Sequence, residues 1–122
     1  MTKEKIEECK AQGRDSLMLS AERVTGRTAC DCMRQGDAAA KEVYDKYIKY
    51  LAAGLTNMVN IFQPEVISLG GGVSNEGQSL IDDLLPLVRK ESYGASVLED
   101  HTDLRIAKLG NDAGIIGAAL LG

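Results

Sequence analysis

Val66-Ile67-Ser68-Leu69-Gly70-Gly71-Gly72-Val73-Ser74 is an apolar run that passes through three glycines into the start of a helix. Glycine after a strand lets backbone N–H groups approach a ligand with no Cβ in the way, and the helix that follows turns its positive end toward the same place. The stretch Leu104-Arg105-Ile106-Ala107-Lys108-Leu109-Gly110-Asn111-Asp112-Ala113-Gly114 repeats this design. With a helix between them, the two strands predict a right-handed parallel crossover, and hence an α/β fold with nucleotide-site architecture at the strand exits. Neither turn carries a lysine for phosphates, a plausible nucleophile or an organised acid/base pair.

Upstream of the first strand, Ala40, Val43, Tyr44, Tyr47, Ile48, Leu51, Leu55, Met58, Val59 and Phe62 form a stripe of helical period, opened by Asp37 and ended by Pro64. Lys41, Glu42, Asp45, Lys46 and Lys49 take the other face of the first half, whereas the stretch from Ala52 onward is uncharged, so the helix is expected to run from surface to interior. Asn57 and Asn60 then need partners in that dry end. Before this helix, Thr2 to Gln12 reads as a short helix ending at Gly13. Thr25 reads as the N-cap of another, running through Met33.

The strand Val66 to Leu69 is nearly continuous apolar sequence, as expected when both faces are covered. Ser74 or Asn75 is expected to cap the next helix, whose stripe is Leu80, Ile81, Leu84, Leu85 and Val88 and which Pro86 should kink. A polar loop from Tyr93 to Thr102 leads to the second strand. The final helix, from Asp112 to Leu121, has no polar face and is therefore expected to be buried, with Gly114 and Gly117 leaving a flat side for close packing. Two strands are too few for a stable sheet, so further strands are expected from another chain or from a longer sequence.

The 122 residues suit one domain, and 44% apolar content is enough for a core built from Leu, Ile, Val, Ala and Met, with no tryptophan. A net charge of -4 argues against a nucleic-acid surface. No signal peptide or membrane-crossing run is seen, and three cysteines cannot close a disulfide framework, so the expected compartment is the cytoplasm. Cys30 and Cys32, with Cys9 and His101, nominally supply four zinc ligands. Residues two apart do not face each other on a helix, however, and the spacing favours free thiols over a metal site. His101 stands among Glu99, Asp100 and Asp103, which in a polar loop read as a solvated cluster rather than a catalytic pair. The glycine run is neither a G-x-G-x-x-G nor a Walker A pattern.

From Gly26 to Leu121 the chain resembles the C-terminal part of the ROK family of bacterial sugar kinases and repressors, most closely its glucokinases. The residues that carry this are Gly36-Asp37, Leu51-Ala52-Ala53-Gly54-Leu55-Thr56-Asn57, Asn60-Ile61-Phe62-Gln63-Pro64-Glu65, Gly70 to Ser74, and Leu109-Gly110-Asn111-Asp112-Ala113-Gly114-Ile115-Ile116-Gly117-Ala118-Ala119. The resemblance implies a partial actin-like (ribonuclease H-like) ATPase lobe, helix-rich with a short parallel sheet. It divides the single partial domain into a peripheral helical segment, 1–35, and a nucleotide-side α/β core, 36–122. It also implies that Gly70, Gly71, Gly72 and Val73 turn against the adenosine of ATP, with Ser74 and Asn75 at the rim. The last helix becomes an interlobe connection whose small residues serve packing rather than ligand contact.

The family's amino-terminal Asp-x-Gly loop, catalytic aspartate, second phosphate loop and zinc motif with its sugar-binding residues have no match here and are expected to lie ahead of Met1. The expected protein is thus the adenosine-side portion of an ATP- and magnesium-dependent glucokinase that phosphorylates the glucose 6-hydroxyl. Its expected partners are a nucleotide, the amino-terminal lobe and a second copy of itself, with neither nucleic acid nor membrane. Catalytic and metal-binding residues are expected to be absent from this portion. Two alternatives stand beside it: a fragment of a sugar-responsive ROK repressor, and a non-catalytic module that self-associates.

Overall fold

The computed structural model describes residues 1–94 and 101–122, with Val73 and Asn111 by their backbone alone. The chain forms two compact units, Met1–Tyr50 and Leu51–Gly122, and the boundary between them falls within a helix.

In the first unit, helix α1 (Thr2–Gln12) ends where Gly13 adopts a left-handed conformation and closes the last turn onto the Cys9 and Lys10 carbonyls. A short 3₁₀ turn, Leu17–Ser20, leads toward α2 (Thr28–Arg34), and the long α3 (Ala38–Phe62) follows. The helix expected after Thr25 begins later, with Arg27 as its N-cap. Thr25 instead accepts from the Arg27 backbone and holds the turn before it. Ile6, Cys9, Met18, Ala29, Cys32, Ala39, Ala40 and Val43 make one buried cluster. Small side chains suit it because three short helical segments converge on the start of α3, and the thiols behave as small apolar groups. Cys9, Cys30 and Cys32 are buried, and none of them is in a disulfide. Burial, and after it the charges of Asp37 and Asp31, push the Cys32 thiol upward.

Asp37 organises this unit. One carboxylate oxygen accepts from the Ala40 N–H, as an N-cap does, and the other accepts from the Ser16 hydroxyl and the Leu17 N–H. Burial alone would raise this carboxyl, but the bonds from Ser16, Ala40, Leu17 and Ala39 outweigh it and hold the group below the usual carboxylate range. Nearby, Glu42 bridges Lys5 and Arg14 and ties α1 to α3. Bonding to Lys5, then Arg14, lowers Glu42, and Glu42 in turn raises both cations.

The second unit holds strand β1 (Val66–Leu69), helix α4 (Gln78–Glu91), strand β2 (Asp103–Ile106) and helix α5 (Ala113–Leu120). β1 and β2 pair in parallel, with Val66 opposite Asp103 and Leu69 opposite Ile106. Helix α4 buries the stripe Leu80, Ile81, Leu84 and Val88 and lies against β2, whose Leu104 is also buried. Pro86 sits within α4 on its exposed side, and the helix runs on through it. Leu55 of α3 is buried in the same unit.

Three expectations about burial fail. The uncharged half of α3 buries Ala52, Leu55 and Thr56 but its last turn is exposed, with Ile61 at 68% and Phe62 at 69%, and the amphipathic first half carries the buried Val43, Tyr44 and Ile48. Asn57 is exposed, and Asn60, also exposed, accepts from the Tyr93 N–H at 2.8 Å. Strand β1 is covered on neither face, since Val66 and Ser68 are exposed and Ile67 and Leu69 half-buried. Helix α5 buries no residue, leaving Leu120 81% exposed. The reason is common to all three: periodicity reveals which face is apolar, but the layer to cover it must be supplied, and among the described residues α4 is the main layer on a two-stranded sheet.

Residues 95–100, which include Glu99 and Asp100 and part of the expected polar loop, lie outside the described residues. Among the described residues no helix is long and apolar enough to cross a membrane.

Candidate functional site

The parallel register brings both strands to the same level at their carboxyl ends. Leu69 pairs with Ile106, and the Leu69 carbonyl accepts from the Ala107 N–H at 2.8 Å. Gly70 leaves β1 in an extended conformation. A Cβ placed on it would touch the Ala107 Cβ at 3.6 Å, an ordinary contact. Gly71 then turns with φ 75°, a conformation that glycine adopts without the steric cost other residues bear.

From Gly71 to Glu76 the chain makes a 3₁₀ helix rather than opening α4 directly. Ser74 therefore caps no α-helix, contrary to expectation. Its buried hydroxyl donates to the Gly71 carbonyl at 2.6 Å and locks the turn, and Gly77 takes the cap position of α4. Sequence reasoning missed this because a serine three residues before a glycine fits both roles, and only the inserted 3₁₀ segment distinguishes them.

The second turn closes beside the first. Gly110, with φ 54°, donates to the Ala107 carbonyl at 3.3 Å, and the Ser74 hydroxyl lies 4.0 Å from the position a Gly110 Cβ would take. Two turns distant in sequence thus meet through Gly70 with Ala107 and Ser74 with Gly110. At Gly71 and Gly72 a Cβ would meet nothing within 4 Å, so their backbone faces open space. Asn75 is exposed at the edge. Open parallel sheets bind ligands outside the carboxyl ends of their strands, and this corner offers backbone at close range with no side chain intervening.

A cleft of about 550 Å³ lies at the other end of the strands, bordered by Gln63, Glu65, Arg89, Tyr93, His101 and Thr102. Volume alone would favour it, but its ionisable side chains are exposed and it contains neither glycine turn. His101 stands at its border in an exposed position, while Glu99 and Asp100, read with it as a solvated cluster, lie outside the described residues.

Lys5, Arg14, Cys32, Asp37 and Glu42, whose ionisation the fold shifts, belong to the first unit. Among the described residues no cluster of three or more His, Cys, Asp or Glu is placed to hold a metal ion. None of those five shifted groups lies at the corner between the turns.

A model of the ROK family matches residues 6–122. The chain is 37% identical over 99 residues to a glucokinase of Halalkalibacterium halodurans, covering 80% of this chain and 29% of that protein. It is 40% identical over 86 residues to an N-acetyl-D-glucosamine kinase of Aliivibrio salmonicida, covering 70% and 27%. Among solved structures, a ROK family glucokinase from Streptomyces griseus in complex with glucose and AMPPNP superposes with a TM-score of 0.79 at 25% identity, over 99% of this chain and 40% of that one. The chain therefore spans about three tenths of the length of these curated relatives.

Proposed function

The chain belongs to the ROK family, and from that premise we propose that it is the adenosine-side portion of an ATP-dependent glucokinase. The observation that carries this reading is the open backbone corner at Gly71 and Gly72, built where two parallel strands end side by side. Gly70, Gly71, Gly72 and Val73 form the turn against adenosine, with Ser74 holding its shape and Asn75 at its rim. ATP supplies the phosphoryl group when bound; the residues of this chain bind and orient the nucleoside. The phosphate loops and the general-base aspartate that the ROK resemblance implies have no counterpart in this sequence, so proton transfer from the glucose 6-hydroxyl is assigned to another portion of the kinase. Magnesium travels with the phosphates and is assigned to no residue of this chain. The cytoplasm is the compartment that fits such an enzyme. A glucokinase relative supports glucose as the sugar, and an N-acetyl-D-glucosamine kinase relative marks the competing choice.

Calorimetry with ATP and a coupled glucose assay test the proposal. Millimolar nucleotide binding without turnover is expected of the 122-residue chain, and robust turnover by this chain alone would refute it.

The uncovered surfaces favour a second reading. Ile61, Phe62, Ile115, Leu120 and Leu121 are exposed apolar side chains that a kinase would cover with its remaining lobe or a second subunit. On its own, the chain then behaves as a self-associating module. Sedimentation velocity decides this, with concentration-dependent association expected and a monomer at all concentrations counting against it.

A further inference from the structure

We infer that the second turn, Ala107 to Gly110, is the other wall of the nucleoside site, with Leu109 supplying the apolar surface that the adenine ring lies on. This rests on the adenosine reading of the first turn and extends it to residues that precede the interlobe helix and to which the family resemblance gives no ligand role.

Three observations converge. Gly110 approaches the Ser74 hydroxyl and Ala107 approaches Gly70, so a ligand seated on the backbone of Gly71 and Gly72 has the second turn as its neighbour. Leu109 stands immediately before Gly110 and is 52% exposed, while the polar Lys108 before it is exposed as well, so the turn offers one large apolar side chain at this corner. Helix packing does not account for this exposure, because α5, which follows, buries none of its residues among those described. An aromatic base is a flat apolar surface that gains most from contact with a second apolar surface, and a glycine backbone supplies only one side. Ala107 and Leu109 carry no hydrogen-bonding side-chain groups, so these two side chains recognise the face of the base, and the cation of the turn, the exposed Lys108, stands apart from that contact.

The test uses isotope-labelled chain titrated with ATP, AMP and inorganic tripolyphosphate at millimolar concentration. ATP and AMP should both move the amide signals of Gly71, Gly72, Leu109 and Gly110, and Leu109→Ser should weaken both nucleotides about fivefold while leaving tripolyphosphate unchanged. Leu109→Ile should retain affinity, and Leu121→Ser, at an exposed apolar position of the carboxyl terminus, should have no effect. Movement at Gly71 and Gly72 alone, with Leu109→Ser indistinguishable from the parent, overturns the second wall and leaves the adenosine reading standing. Silence at all four amides overturns both.

Discussion

The Asp37 carboxylate accepts a hydrogen bond from the Ser16 hydroxyl at 2.6 Å, joining the turn after α1 to the start of α3. Both residues are buried, so losing one partner leaves the other without water to replace it. Asp37→Ala should cost about 2–4 kcal/mol, combining a lost helix cap with stranded donors at Ser16 and Leu17. Urea denaturation followed by circular dichroism measures this.

Acid should erode the same contribution. Asp37 is held below its ordinary value in the folded chain, so the stability it confers is complete above the unfolded carboxylate value of about 3.9. It is lost as pH falls through the lower, folded value. Asp37→Asn should flatten this acid dependence. An unchanged slope between neutral pH and pH of about 3 would contradict the assignment.

Adjacent glycines of the first turn separate stability from binding. Gly71→Ala forces a side chain into a left-handed conformation and should cost about 1–2 kcal/mol. Gly72→Ala meets open space at ordinary φ and should change stability by less than about 0.5 kcal/mol. Both should weaken ATP about tenfold, because each adds a methyl group where the ligand approaches the backbone. Thermal melts alongside nucleotide titrations check the pair.

Leu84 is wholly buried in α4, at the centre of the stripe that packs on the sheet. Leu84→Ala should destabilise the second unit by about 2–5 kcal/mol. Helix α5 provides the contrast. Ile115→Glu with Leu120→Glu removes exposed apolar surface without opening a cavity, so the melting temperature should hold while association, followed by sedimentation velocity, falls.

The sequence was most legible where local chemistry decides structure. Gly13 stopped a helix, Asp37 opened one, and both apolar runs before glycines became paired parallel strands. Burial was less legible because it depends on what lies opposite: the all-apolar α5 reads as interior, yet nothing among the described residues covers it. The candidate site shared this division. Its glycines stood out in the sequence, whereas the approach of Ser74 to Gly110 depends on strand register, which no pattern within either turn encodes.

A ladder of two strands among the described residues leaves its mark on isotope exchange. The N–H groups of Asp103 and Ala107 are spent on β1, through the carbonyls of Glu65 and Leu69. Strand alternation turns those of Leu104 and Ile106 to the opposite edge, where deuterium from solvent can replace their protons. Slowed exchange at these two amides in a longer kinase chain would therefore report the arrival of a neighbouring strand, residue by residue and without any need for substrate.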